Sequence, residues 1–229
     1  MPELEVSVVI PSRNEADYIG AVIDEVRKAL VGIQHEILVV DTESTDGTVR
    51  IAQSKGARIV PEPRRGYGRA YKTGFAEAKG KYIATLDADL TYPAERIPEF
   101  VRVLEDGADF VCGDRLTTLE AGSMTGMHRI GNAILNLSFR LMTGYAINDS
   151  QSGMWVFRRS TLQDLTVVDD GMPFSEELKM EAVMAGLRFV EVPIKYRPRM
   201  GEKKLRSFPD AFKNLRYLFF KRIGWVRTD

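Results

Sequence analysis

The alternation of short β-branched segments with segments of helical spacing constrains the fold of this chain more than any other feature. Residues 6–10 form a β-branched run that predicts a strand, and the apolar residues from Ile19 to Leu30 recur at helical spacing. The pattern repeats, with further strands predicted at residues 36–40, 58–60, 81–86 and 109–113, and further helices up to about 55, at 66–80 and at 93–104. This rhythm predicts an α/β fold with a mostly parallel sheet and helices on both faces.

A different pattern follows residue 115. Residues 122–145 contain a broad apolar surface that predicts one or two helices, and a strand at 154–157, a helix at about 175–185 and a strand at 188–192 come after it. No internal repeat or low-complexity linker divides the 229 residues. We therefore expect a single domain, 1–229, with two halves that meet near residue 115.

The composition excludes several kinds of site. Cys112 is the only cysteine and the only histidines are His35 and His128, so an intrachain disulfide and a zinc site of cysteines and histidines are both excluded. A metal would therefore have oxygen ligands. The first residues show no secretory signal pattern, and no segment reaches the ~20 apolar residues of a membrane span, so we expect a cytoplasmic protein.

Three carboxylate-bearing loops are predicted at the carboxyl ends of parallel strands, where ligands bind in such sheets. They carry Glu15, Asp41 and the pair Asp87 and Asp89. Two carboxylates one residue apart repel each other unless a hard divalent cation such as Mg²⁺ or Mn²⁺ lies between them, often together with substrate phosphates. The alternative is that Asp89 only caps the helix predicted after it.

Four segments of the first half have a recognisable order and spacing. They are Val-Ser-Val-Val-Ile-Pro-Ser-Arg-Asn-Glu (6–15), Leu-Val-Val-Asp-Thr-Glu-Ser-Thr-Asp-Gly-Thr (38–48), the glycine-bearing segment 66–80 and Leu-Asp-Ala-Asp (86–89). Together they resemble glycosyltransferase family 2. The resemblance covers essentially the whole chain and implies the nucleotide-diphosphosugar transferase fold called GT-A, with residues 1–115 as the nucleotide-sugar half and 116–229 as the acceptor half.

The resemblance implies that the nucleotide site is lined by Pro11, Arg13, Glu15, Val40, Asp41, Asp87 and Ala88. Within this set Asp41 would hydrogen-bond the base, and Asp87 with Asp89 would serve the diphosphate and its Mg²⁺ or Mn²⁺. The chain departs from the family in the second loop, which reads Asp-Thr-Glu-Ser instead of the usual Asp-Asp-Gly-Ser. It departs again at Thr91, where related enzymes often have glutamine, so contacts to the base and the metal are expected to differ in detail.

Motifs of the second half narrow the resemblance. The segments 113–115, 128–132, 148–153 and 190–205 resemble the dolichyl-phosphate mannose synthase and dolichyl-phosphate glucosyltransferase group, which loads a sugar onto a polyprenyl monophosphate. The resemblance implies that Arg115 and Arg129 contact the lipid phosphate. It also implies that Arg199 and Lys204 close over the donor or acceptor phosphates. The donor would be GDP-mannose, UDP-glucose or another sugar nucleotide.

A phosphate acceptor also agrees with elementary chemistry. A phosphate monoester has a second pKa near ~6 and is largely a dianion at neutral pH, so it needs positive charge more than it needs a general base. Arginine suits bidentate contact with phosphate. Asp149 is the candidate for a base or an orienting group, and the alternative is an aspartate that starts a turn. With Asp89 and Arg115 it completes the candidate catalytic residues of an inverting, single in-line displacement.

Three other functions stay open on the sequence. The first is a family-2 transferase that acts on a sugar hydroxyl of a glycan or soluble glycoside. The second is a sugar nucleotidylyltransferase, whose glycine-rich N-terminal signature this chain lacks. The third is a noncatalytic nucleotide- or lipid-binding protein, which the combination of Asp87, Asp89 and the arginines disfavours. No feature of the chain indicates a nucleic-acid partner.

A lipid acceptor requires contact with a membrane, and two segments are candidates. The residues Phe208, Phe212, Leu215, Phe219 and Ile223 share one helical face flanked by basic residues, which is typical of an interfacial helix on an anionic leaflet. The apolar segment 130–142 is the second candidate. For both, the alternative is a helix packed on the protein's own core. We expect peripheral contact with the cytoplasmic face of a membrane, with or without an anchoring partner subunit.

Overall fold

A computed structural model describes residues 4–118, 126–198, 216, 217 and 219–222, and the side chains of all of these except 126–129. Among these residues seven strands form one sheet, and six α-helices and two 3₁₀ helices surround it. The strands are β1 (Val6–Ser12), β2 (His35–Asp41), β3 (Arg58–Pro61), β4 (Tyr82–Thr85), β5 (Phe110–Asp114), β6 (Trp155–Arg158) and β7 (Phe189–Pro193). The helices are α1 (Ile19–Ala29), α2 (Thr48–Ser54), α3 (Tyr67–Glu77), α4 (Ile97–Glu105), α5 (Gly126–Thr143) and α6 (Phe174–Met184), with 3₁₀ turns at Ala94–Arg96 and Arg159–Asp164.

The sheet has the strand order β3-β2-β1-β4-β6-β5-β7, and every neighbouring pair is parallel except the two pairs that β6 makes with β4 and β5. The prediction of a mostly parallel sheet is confirmed. The reversed direction of β6 has no counterpart in the sequence interpretation, and neither has the 3₁₀ helix Arg159–Asp164. The broad apolar segment predicted as one or two helices is the single helix α5 over the residues that the structure describes.

Helices cover both faces of the sheet, as predicted. Along β1, Val8 and Ile10 pack into one apolar cluster with α1 and α4, whereas Val9 packs into a second cluster with α3 and α6. A strand buried on both faces reads as a continuous apolar run, which explains why residues 6–10 are apolar almost without interruption. Each fully buried valine or isoleucine contributes about 1.5–3 kcal/mol to folding. The two clusters therefore fix the sheet between its helical layers.

The parallel strands bring the predicted carboxylate loops to one edge of the sheet. Ser12 and Asp41 end β1 and β2 in register, and the N–H of Thr42 donates to the carbonyl of Ser12. The next strand on the other side of β1 is β4, which leads into Asp87. The predicted convergence of these loops at the carboxyl edge of the sheet is therefore the arrangement that the topology produces.

Candidate active site

The loops that follow β1 and β2 are joined by hydrogen bonds. The N–H of Asn14 donates to Ser44 Oγ at 2.9 Å, and the N–H of Thr45 donates back to Asn14 Oδ1 at 2.9 Å. The N–H of Glu15 donates to Thr48 Oγ1 at 2.9 Å. Asn14 holds a left-handed backbone with φ of 54°, a conformation that asparagine adopts more readily than most residues. These contacts hold the loop of residues 11–15 beside the loop that begins at residue 41.

Asp41 is a buried carboxylate at this junction, above the buried Val40. Its Oδ2 accepts the N–H of Ser44 at 3.0 Å. Its Oδ1 is buried and, within the described part of the chain, accepts no hydrogen bond. A buried charged acceptor without a donor is costly, so this atom is suited to a hydrogen-bond donor that a ligand supplies. Pro11 and Glu15 are half-buried and Arg13 is exposed.

A buried glutamate that the sequence interpretation missed follows β3. The N–H of Glu62 donates to the carbonyl of Asp41 at 2.9 Å, and its carboxylate accepts Arg69 Nε at 2.9 Å and Thr73 Oγ1 at 2.5 Å. Arg64 also donates to it, from its N–H at 3.0 Å and its Nε at 3.3 Å. Glu62 therefore holds two arginines and is itself bonded through its backbone to Asp41. The sequence carried one signal for this buried glutamate, namely an acidic residue followed by two arginines shortly after a predicted strand.

The segment after β4 carries the Asp-x-Asp pair. Asp87 is half-buried and Ala88 and Asp89 are buried. Asp89 Oδ1 accepts the Thr91 hydroxyl at 2.6 Å and the Thr91 N–H at 3.2 Å, and Leu90 between them has a left-handed φ of 63°. The helical turn that follows begins at Ala94 without a side-chain cap. Asp89 therefore shapes its own loop, and the alternative that it caps the following helix is wrong.

The carboxylate oxygens of this loop are suited to a divalent cation that also binds a diphosphate. Among the described residues no group of three or more histidine, cysteine, aspartate or glutamate side chains is arranged to hold a metal. Asp87 and Asp89 supply carboxylate oxygens, the hard ligands that Mg²⁺ and Mn²⁺ prefer. Mg²⁺ commonly binds through one or two carboxylates and completes its shell with phosphates and water. Two carboxylates alone are then sufficient on the protein side.

Three tyrosines, which the sequence interpretation did not single out, are influenced by the charge of Asp87. Burial raises the pKa of Tyr67, Tyr71 and Tyr92 well above the usual tyrosine value, and the negative charge of Asp87 raises each pKa further. These hydroxyls therefore stay protonated and are hydrogen-bond donors at neutral pH. Tyr92 Oη accepts the N–H of Gly153 at 2.6 Å, which leaves its own proton available for donation.

An ion pair joins Arg115, whose side chain is 11% exposed, to the fully buried Asp149. Asp149 Oδ2 accepts Arg115 Nε at 2.7 Å and the Arg115 N–H at 3.0 Å, and Oδ1 accepts Arg115 Nη2 at 2.8 Å and the Gln151 N–H at 3.2 Å. Burial acts to raise the pKa of Asp149, but the charge and hydrogen bonds of Arg115 outweigh it and the pKa is lowered. A carboxylate with both oxygens engaged and a lowered pKa is a weak base.

The guanidinium of Arg115 is also held by an aromatic ring. It lies over the ring of Tyr196 at 5.2 Å, and Tyr196 packs edge-on against Tyr92 with 5.1 Å between ring centroids. The pKa values of Tyr67 and Tyr92 respond to the charges of both Asp87 and Arg115. The charges of the Asp87 carboxylate and the Arg115 guanidinium therefore both act on these two hydroxyls. Arg115 Nη1 takes no part in the pair with Asp149.

The other predicted phosphate contacts lie outside the described side chains. Arg129 is part of α5 but its side chain is not described, and Arg199 and Lys204 lie outside the described residues. Of the four predicted phosphate contacts, the structure therefore describes the side chain of Arg115. Arg129, Arg199 and Lys204 stay predictions.

An exposed apolar stripe runs along α5. Its members, each more than half exposed, are Ile130, Ile134, Leu137 and Leu141. The opposite side of the helix carries Leu135 and Phe139, which are buried in the core. No acidic residue occurs between positions 126 and 147. Within the described residues no helix is both long and apolar enough to cross a bilayer.

The described part of the C-terminal segment has one face on the protein and one exposed. The Tyr217 hydroxyl donates to Glu177 at 2.9 Å, and the Lys221 ammonium contacts the same carboxylate and Glu181. Phe219 is about half exposed. Tyr217 and Lys221 therefore contact the rest of the protein, as the alternative of a packed helix predicts. The exposure of Phe219 agrees with the interpretation as an interfacial helix. The remaining residues of that predicted face lie outside the described ranges.

Comparisons with known proteins agree on one family. The family described as Glycosyl transferase family 2 matches residues 7–166, more than half of the chain. The low-salt glycan biosynthesis hexosyltransferase Agl6 of Haloferax volcanii is 37% identical over 96% of this chain and 54% of its own length. The dolichyl-phosphate hexose transferase of the same organism is 34% identical over 89% of this chain and 88% of its own length. The chain thus spans about half the length of the first relative and most of the second.

A solved structure confirms the fold. The glucosyl-3-phosphoglycerate synthase of Mycobacterium tuberculosis, in complex with Mn²⁺, UDP and phosphoglyceric acid, has a TM-score of 0.79 and 23% identity to this chain. The similarity covers 98% of this chain and 80% of that one. The predicted GT-A fold is confirmed, and at this identity the likeness extends to the fold alone.

Proposed function

Because this chain belongs to glycosyltransferase family 2, we propose that it moves a hexose from a nucleoside-diphosphate sugar to a polyprenyl monophosphate. The sugar is mannose or glucose, carried by GDP or UDP. The observation that carries this proposal is the ion pair of Arg115 with the fully buried Asp149, which fixes a cation whose charge acts on the same tyrosines as the charge of Asp87. A phosphate dianion requires such a cation, whereas a hydroxyl acceptor requires a free base.

The donor occupies the side of Asp41 and the Asp-x-Asp loop in this proposal. The free Oδ1 of Asp41 accepts an N–H of the base, which both guanine and uracil possess. Arg64 and Arg69, held by Glu62, contribute positive charge near the nucleotide phosphates. Asp87 and Asp89 hold Mg²⁺ or Mn²⁺, and the bound metal supplies Lewis-acid stabilisation of the leaving diphosphate.

The acceptor phosphate lies against Arg115. Asp149 acts as an orienting group there, because two of its hydrogen bonds hold the guanidinium, two more hold the backbone N–H groups of Arg115 and Gln151, and its pKa is lowered. An acceptor oxygen attacks C1 of the hexose, the bond from C1 to the diphosphate oxygen breaks, and the nucleoside diphosphate leaves with the electron pair. One displacement inverts the configuration at C1. The hydroxyls of Tyr67 and Tyr92 donate to sugar or phosphate oxygens.

Peripheral contact with the cytoplasmic face of a membrane delivers the lipid. The apolar stripe of α5 and the exposed Phe219 provide the apolar contact, and the exposed Arg216 and Arg222 lie three residues before and after Phe219 in the chain. An interfacial helix of this kind combines a buried apolar face with basic flanks. The related dolichyl-phosphate hexose transferase supports the choice of a lipid acceptor.

The test is transfer of radiolabelled hexose from GDP-mannose, UDP-glucose and their UDP and GDP counterparts to a short-chain polyprenyl phosphate. We expect lipid product from one donor, its loss in EDTA, and a decrease of roughly 100-fold for Arg115→Lys, which cannot keep the forked contacts. Arg102→Lys, on the exposed side of α4, is the matched control and should leave transfer unchanged. Transfer to a sugar hydroxyl, or donor hydrolysis without lipid product, would overturn the choice of acceptor.

A further inference from the structure

Asn136 of α5 brackets the residue that holds Arg115. Its Oδ1 accepts the N–H of Ser150 at 3.0 Å, and its Nδ2 donates to the carbonyl of Asn148. These two backbone groups lie on either side of Asp149. A single carboxamide therefore fixes the main chain before and after Asp149 at the same time, because it can donate and accept simultaneously.

The segment 148–150 is also held from the opposite side. The Glu191 carboxylate on β7 accepts the N–H of Asn148 at 2.8 Å and the N–H of Asp149 at 2.9 Å. Glu191 belongs to the sheet, whereas Asn136 belongs to the helix whose outer side is the exposed apolar stripe. Asn136 thus joins that helix to the ion pair of the acceptor site.

The path from Asn136 to the guanidinium is short. Asp149 accepts both the backbone N–H of Arg115 and its side-chain Nε, so a shift of the Asp149 carboxylate moves the main chain and the head group of Arg115 together. Asn136 does not touch Arg115 in the contacts that the structure shows. Its influence passes through the main chain on either side of Asp149.

We propose that Asn136 is a positioning residue for acceptor recognition, which aligns Arg115 through the segment 148–150 and Asp149. The proposal rests on the proposed function, since it assigns the acceptor phosphate to Arg115. In this proposal the position of α5, the helix that carries the exposed apolar stripe, affects how tightly the acceptor phosphate binds.

The kinetic test compares Asn136→Ala with Ser138→Ala. Ser138 lies half a turn further along α5, and its hydroxyl bonds only to the carbonyl of Ile134 in its own helix among the contacts described. For Asn136→Ala we expect the KM for short-chain polyprenyl phosphate to rise about tenfold, the effect of a lost hydrogen-bonded anchor, with the KM for the sugar nucleotide unchanged within about twofold. Ser138→Ala should match the wild type in both constants.

A second measurement separates this proposal from the proposed function. Hydrogen exchange reports directly on the N–H groups of Arg115 and Ser150, which donate to Asp149 and Asn136. In Asn136→Ala both should exchange faster, while the amides of β1 and β2 keep their protection. If the wild type uses no polyprenyl phosphate, the proposed function fails and the exchange of Arg115 still decides the positioning role. An unchanged Arg115 amide, or equal changes in both KM values, would overturn the positioning role.

Discussion

The proposed donor side (Asp41, Asp87 and Asp89) and the proposed acceptor side (Arg115 and Asp149) are built in opposite ways. On the donor side Asp41 has a buried oxygen that accepts no hydrogen bond from the described residues, and Asp87 and Asp89 lie one residue apart in the sequence. On the acceptor side the guanidinium of Arg115 already donates two hydrogen bonds to the fully buried Asp149, and the Arg115 backbone N–H donates a third. In the proposed function the Asp41 oxygen is completed by the ligand, whereas the pair of Arg115 and Asp149 is formed before any ligand arrives. Substitutions on the two sides should therefore affect different quantities.

The acceptor side contains a second fully buried charge that supports this contrast. Lys179 of α6 donates to the carbonyls of Ser150 and Ser152, to the latter at 2.7 Å, and to Ser175 Oγ at 3.1 Å. Burial lowers the pKa of this ammonium. Backbone carbonyls from the segment that contains Asp149 therefore solvate a cation in the protein interior. The same segment is held by Asn136 and Glu191, so the acceptor site is fixed from three elements.

The largest expected effect is on stability, from Asp149→Ala. The change leaves the Arg115 guanidinium buried without its partner, which should lower the free energy of unfolding by about 3–5 kcal/mol. Urea unfolding followed by circular dichroism measures this. Asp24→Ala is the control, since Asp24 pairs with Lys55 at the surface and its loss should change stability by at most about 1 kcal/mol. Equal losses in both variants would contradict a pre-formed acceptor side.

The same pair predicts a pH dependence. The pKa of Asp149 is lowered in the folded protein, so the unfolded chain binds this proton more tightly. The stability that ionised Asp149 contributes is complete above the ordinary aspartate pKa of about 3.9 and is lost as the pH falls through the lowered value. The difference in unfolding free energy between the wild type and Asp149→Asn should then shrink below pH ~4. A difference that stays constant down to pH ~2 would argue against an ionised, paired Asp149.

The next effect is on donor binding, from Asp41→Asn. The amide can still accept the Ser44 N–H, but it places a donor where the base would donate. We expect the KM for the sugar nucleotide to rise about 10–100-fold, as a hydrogen bond to a charged group is lost, with little change in melting temperature. The KM for the polyprenyl phosphate should stay the same. Asp17→Asn, exposed near the same loop, is the control. A large fall in melting temperature would show that the donor side is pre-formed as well.

Local periodicity was sufficient to predict most elements of the fold. The first half alternates strand and helix patterns, and each pattern reports on the side chains within its own segment. The direction of β6 was not predictable in this way, because it depends on the path of residues 115–154 across the sheet. Nothing in the short run Trp155–Arg158 itself distinguishes a parallel from an antiparallel strand.

The same reasoning explains which site residues the sequence interpretation missed. Asp41, Asp87 and Asp89 were identifiable because they follow apolar strands directly. Glu62 and Lys179 are charged residues, which normally indicates an exposed surface, and their burial follows from tertiary packing. The role of Asn136 depends on two backbone groups more than ten residues away. Such contacts leave no periodic signal in the chain.

The smallest expected effect concerns the outer surface of the acceptor side. Leu141 is 78% exposed on the apolar stripe of α5, and Val31, in the turn after α1, is 79% exposed. Since neither side chain is packed, serine at either position should change the unfolding free energy by no more than about 0.5 kcal/mol. If the stripe enters a bilayer, Leu141→Ser should weaken sedimentation with anionic phospholipid vesicles about fivefold, because part of a leucine side chain loses its apolar environment. Val31→Ser should sediment like the wild type. Equal binding of all three proteins would place the membrane contact elsewhere on the protein. The apolar stripe of α5 would then not be the lipid-facing surface of the proposed acceptor side.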